Sequence, residues 1–163
     1  MRFIVSGLLL LMTSASASTA AAQFSFGQPS SERKVQATLA QSNAALWRTL
    51  SSTRIAENTR TGMFSASHMP GVRALAGTTM TITGFMLPLD TDAQSRHFLL
   101  SRFTSVCFFH PPGAPNEVIE VYSRTPIPIT DRLITVTGRF TLINDPEKGL
   151  FFRISDARSH VGR

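Results

Sequence analysis

Cysteine is nearly missing from this sequence: Cys107 is the single one in 163 residues. No disulfide can form within the chain, no pair of Cys-x-x-Cys knuckles can build a structural zinc site, and Cys-x-x-Cys-His haem attachment is excluded. Charge is also sparse, at 16% of residues, with a net of +6 carried almost wholly by arginine. Beyond Arg2, the arginines are spread from Arg33 to Arg163 with no run longer than Arg33-Lys34. Dispersed charge speaks for solvation and against a nucleic-acid-binding stripe. No Ser-His-Asp order, phosphate loop, His-Glu-x-x-His or paired-carboxylate pattern occurs, so the motif-bearing hydrolase, nucleotidase and metalloprotease classes have no support.

What is present begins with an export signal. Arg2 gives a short positive start, Phe3 to Met12 an apolar run, and Thr13 to Ala22 a small-residue exit ending Ala20-Ala21-Ala22. That pattern describes a secretory signal peptide over residues 1–22, and the run is too short for a membrane span of ~20 residues. No cysteine follows it, which argues against a lipid anchor. The expectation is a periplasmic protein with no stable membrane insertion once the signal is removed. Residues 23–43 read as a flexible N-terminus and the start of a helix, 44–158 as a single domain, and 159–163 as a C-terminal tail.

The hydrophobic content of 42% can support one core. Ser31 to Ser52 carries Val35, Leu39, Leu46 and Leu50 on one helical stripe, with Trp47 beside it. Thr53 to Ala76 reads as irregular. From Thr78 the period changes to that of strands: Thr79 to Leu89, Ser95 to Phe103, Glu117 to Tyr122, Leu133 to Leu142 and Leu150 to Ile154. His97, Leu99 and Ser101 share one face of the second strand, and Val118, Glu120 and Tyr122 one face of the third. Arg124 to Thr130 holds Pro126 and Pro128 and reads as an edge or a connection. Gly138 suits a bulge or bend. The fold class expected is mainly β, a small OB-like five-stranded barrel with an N-terminal helix.

The segment with most chemistry is Cys107-Phe108-Phe109-His110-Pro111-Pro112. Thiolate and imidazole three residues apart, on backbone stiffened by proline, suit zinc(II) or copper(I). A tight site needs further ligands, for which His97, His68, Glu117 and Glu120 are the candidates; His160, in the tail, is a poor one. Two other readings stay open. Cys107 can end a strand packed in the core, the loop then being a metal-free interaction module. Alternatively, an imidazole-activated Cys107 with His110 can serve a thiol-dependent enzyme or redox sensor. The balance leans away from an enzyme, since no orienting carboxylate is evident beyond Glu117 or Asp131.

Thr83-Gly84-Phe85-Met86-Leu87-Pro88-Leu89, Phe98-Leu99-Leu100-Ser101 and Cys107-x-x-His110-Pro111-Pro112 with Asn116-Glu117 together resemble a family of exported bacterial proteins catalogued as domain of unknown function 3299. Trp47-x-x-Leu50 and Leu150 to Arg158 resemble it too. The resemblance implies an exported, OB-like β domain of uncharacterised activity. It also implies a transport accessory, whose partner is a component of an ABC-type transporter, in some cases zinc-responsive, or another envelope protein.

Overall fold

A computed structural model describes residues 30–89, 91–106 and 112–162. Five strands make the body: β3 (Thr79–Pro88), β4 (Gln94–Ser101), β5 (Val118–Pro128), β6 (Leu133–Asp145) and β7 (Leu150–Val161). They close in the order β3-β4-β5-β7-β6, with β6 returning to β3. All neighbours are antiparallel except β5 and β7, which run parallel. This is the strand order of an OB barrel, as the alternation predicts. A separate two-stranded hairpin, β1 (Arg54–Asn58) with β2 (Met63–Ser67), precedes the barrel.

The period-2 alternation sorts side chains as expected. Phe98 and Leu100 of β4, Ile119 and Val121 of β5, Phe140 of β6 and Ile154 of β7 fill the interior. His97, Leu99 and Ser101 share the opposite face of β4, and lie opposite Tyr122, Glu120 and Val118 of β5.

The barrel bends where β7 carries one extra residue. Against β6 the register passes from Arg139↔Ser155 to Thr137↔Arg158; against β5 it passes from Val121↔Ile154 to Ser123↔Ala157. Both neighbours therefore see the same bulge, centred on Asp156, whose φ of 52° is positive. Gly138 of β6 lies against it. A β-carbon there would sit 2.6 Å from Ile154 Cγ2 and 2.7 Å from the Ser155 carbonyl oxygen, so only glycine lets the strands approach.

Three expectations are corrected. The single helix over 31–52 is two short ones, α1 (Ser30–Gln36) and α2 (Ala45–Leu50). Between them a turn at 37–39 leads into chain tied to the barrel: Gln41 bridges Phe103, and Ser42 N–H donates to Arg102 O at 2.8 Å. Tertiary hydrogen bonds override helix propensity here, and the presumed stripe is split. Val35 and Leu39 are exposed, while Trp47 and Leu50 are buried. The Trp47 indole donates to Thr83 O at 2.8 Å, and Ser42 Oγ donates to the same carbonyl at 2.7 Å. Second, the span expected to be irregular holds the β1–β2 hairpin and α3 (Pro70–Arg73). Of the two readings open for 124–130, the structure bears out the edge: β5 runs on through both prolines, with Gln94↔Pro128 and Ser95↔Ile127 paired to β4 alone. It can do so because pairing with β7 ends at Ser123, leaving one edge that needs no N–H donor. Third, β7 continues to Val161, taking residues 159–161 of the expected tail into the sheet, His160 opposite Thr135.

Candidate functional site

Cys107 and His110 lie outside the described residues. The two legs of chain that lead to and from them are described, and both are clamped. On the entry leg, Thr104 O accepts from Gln36 Nε2 at 3.1 Å, and Thr104 Oγ1 donates to Ala40 O at 2.8 Å. On the exit leg, buried Ser101 Oγ donates to Pro112 O at 3.0 Å. Gly113 takes φ +96°, where a β-carbon would press to 3.0 Å from Glu117 Oε2 and 3.1 Å from the Phe103 ring. A short 3-10 turn, Pro115–Glu117, then enters β5.

Glu117 and Asn116 complete the clamp. The Glu117 carboxylate accepts from Ala114 N–H at 3.2 Å and from Arg102 at 3.3 Å, joining the two legs through an ion pair. Asn116 Nδ2 donates to Ser51 O at 3.0 Å and Thr53 O at 2.8 Å, fastening the exit leg to the end of α2. Beside the entry leg, Phe85, Leu87, Val106 and Ile129 contribute to an apolar recess of about 360 Å³.

His97 and Glu120 are brought together, 2.9 Å apart across β4 and β5. Glu120 is 6% exposed and fully engaged. One carboxylate oxygen accepts from His97 and, at 3.1 Å, from the Tyr122 hydroxyl; the other accepts from Arg153 Nε at 2.8 Å and Nη2 at 2.7 Å. Burial pushes this carboxyl up, but hydrogen bonds from His97 and Arg153, the Arg153 charge and the Tyr122 hydroxyl outweigh it and hold the group below its ordinary value. Burial, then the neighbouring carboxylate, raises the Tyr122 phenol. The His97 ring stacks on Tyr122, centroids 4.3 Å apart and 10° from parallel. The cluster thus ties three adjacent strands on the outer face of the barrel.

His68 is elsewhere, its Nδ1 3.3 Å from Thr53 Oγ1 and its ring 5.6 Å from that of Phe152. Burial, with the Arg73 charge, depresses its pKa. Among the described residues no group of three or more His, Cys, Asp or Glu side chains converges as a metal cage. Sequence reasoning missed Arg102, Arg153, Ser101 and Gln36, whose roles depend on partners 11 to 68 positions away. No local spacing signals them.

Fold and site together define a small OB-type barrel that presents an anchored loop beside β4 and β5. The chain belongs to the DUF3299 family, described as a protein of unknown function, which it matches over residues 11–148. Its fold is similar to that of a DUF3299 family protein from Pseudomonas aeruginosa PAO1 known from a crystal structure, at 20% identity and a TM-score of 0.50, covering 61% of this chain and 68% of that one. A search of curated proteins returned no match. Among the described residues no helix is long and apolar enough to cross a membrane.

Proposed function

We propose that this protein is an exported, non-enzymatic accessory protein of the cell envelope that binds a soft metal, zinc or copper, through Cys107 and His110 and works with a transporter component. The observation that carries this reading is the clamp on both legs of the loop. Gln36, Ala40, Ser101, Arg102, Asn116 and Glu117 spend hydrogen bonds on fixing the chain on either side of the Cys107-x-x-His110 segment. Fixed flanks lower the entropic cost of binding a ligand at a site they carry.

His68, His97, Glu117 and Glu120 already have other partners. Cys107 and His110 would therefore be two ligands of an incomplete shell, the rest coming from a partner or from exogenous donors. A shell of that kind releases metal readily, which suits transfer better than a permanent structural site.

Elemental analysis of untagged mature protein, beside a Cys107→Ala/His110→Ala double variant, tests the reading. Near-stoichiometric zinc or copper in the wild type alone supports it; no metal in either protein after reconstitution overturns it. N-terminal sequencing of the periplasmic protein tests the export step, with Gln23 the expected first residue.

A further inference from the structure

The arginines that look scattered in the sequence are gathered by the barrel. Arg124 of β5, Arg139 of β6 and Arg158 of β7 line one groove of about 320 Å³, with Thr79, Thr137, Gly138 and Asp156. Each comes from a different strand, and the Asp156 bulge sets where they meet. The extra residue on β7 puts Arg158 opposite Thr137 and places Arg139 one pair along, opposite Ser155. Arg124 lies where β5 loops out from β4, between the pairs His97↔Tyr122 and Ser95↔Ile127. Gly138, buried against the β7 backbone, lets β6 and β7 approach closely beneath the groove.

All three arginines are exposed. Among the described residues none makes an ion pair or side-chain hydrogen bond, in contrast with Arg102 and Arg153, which both hold glutamates. Asp156 is the single carboxylate in the groove, so the local balance of formal charge is +2 (three arginines against one aspartate). Three unpaired guanidiniums around one groove repel one another, and an anion between them relieves that repulsion. Guanidinium forks match the oxygens of phosphate bidentately. The Thr79 and Thr137 hydroxyls can add neutral donors at the groove wall.

We infer that this groove is a phosphate-binding site, built from Arg124, Arg139 and Arg158, for a phosphorylated small molecule or the phosphate of a lipid headgroup. The two sources share the chemistry and differ in presentation. The site is separate from the Cys107 loop, and the inference does not depend on metal binding or on export.

The test uses the mature full chain and two probes at low ionic strength: calorimetric titration with inorganic pyrophosphate, and co-flotation with phosphatidylglycerol vesicles against phosphatidylcholine vesicles. Saturable binding to either probe is expected. It should weaken about tenfold or more in Arg139→Gln/Arg158→Gln while Arg60→Gln, a charge loss in the distant β1–β2 turn, stays at the wild-type value. Pyrophosphate binding without flotation identifies a soluble phosphate ligand; flotation without pyrophosphate binding identifies headgroups. Failure to bind either probe overturns the site. So does a loss in Arg60→Gln equal to that in the double variant, which would reduce the effect to net charge. Arg139 and Arg158 are exposed, so their replacement leaves the core intact, and a thermal melt of the double variant checks this.

Discussion

Replacing Glu120 by Gln keeps the shape of the side chain and removes its charge, at the one carboxylate that joins β4, β5 and β7. Glu120 has 8% of its side chain exposed and accepts from His97, Tyr122 and Arg153. Breaking a buried ion pair by removing one partner costs about 3–5 kcal/mol. Arg153 and His97 keep 38% and 40% side-chain exposure and can recover water, which brings the expected loss to about 2–3 kcal/mol at pH 7. The amide also turns a donor toward groups that are themselves donors. Urea unfolding of wild type and variant at pH 7 measures the difference, and a double-mutant cycle with Arg153→Gln isolates a coupling of about 1–2 kcal/mol. The dependence on pH has a definite sign. The folded pKa of Glu120 is lowered from 4.5, so its contribution is fully present above the unfolded value and is lost as pH falls through the folded one. The gap between wild type and Glu120→Gln should therefore close below pH 4.5. A variant within 0.5 kcal/mol of wild type at pH 7, or a gap that stays constant down to pH 3, refutes the reasoning.

Gly138→Ala should cost about 2–3 kcal/mol in urea unfolding, because its β-carbon meets the Ser155 backbone at 2.7 Å and backbone cannot step aside; a neutral result would mean the bulge is compliant. Trp47→Phe should cost about 1–2 kcal/mol, with Thr83 O still satisfied by Ser42, whereas Trp47→Ala should cost about 3–5 kcal/mol by opening a cavity under α2. Asn116→Ala removes both hydrogen bonds to the end of α2 and should raise proteolytic cleavage within 104–114 with little change in global stability. The depressed pKa of His68 makes wild type lose stability as pH falls below 6.5, since the unfolded chain takes up the proton first. His68→Phe should flatten the stability profile between pH 7 and 5.5, and an unchanged slope would show that this histidine is not responsible.

The sequence made the barrel legible because two of its strands are half-buried: Met80 and Ile82 of β3, and Ile134, Val136 and Phe140 of β6, are buried between more exposed neighbours at a period of two, and a one-residue slip would invert both. The same argument explains the failures. The strands of the hairpin at 54–67 have no fully buried residue, and the alternation of β2 runs only between half-buried Phe64 and Ala66 and exposed neighbours, too shallow to stand out in sequence. The break between α1 and α2 rests on hydrogen bonds from 36–42 to 102–104, which helix propensity cannot foresee. The prolines of β5 did mark an edge, since β5 has one neighbour at that point, but they could not tell an edge from a connection. Charge misled for a related reason. Arg124, Arg139 and Arg158 are spaced at 15 and 19 positions, and local patterning can only score them as dispersed. A closed barrel with a β5–β7 parallel pair and a bulge read by both neighbours of β7 converts that spacing into one face. Proximity in this fold is set by strand order and register, so its cationic groove, its Glu120 cluster and the clamp on the Cys107 loop all arise from residues whose chemistry is visible in sequence and whose company is not.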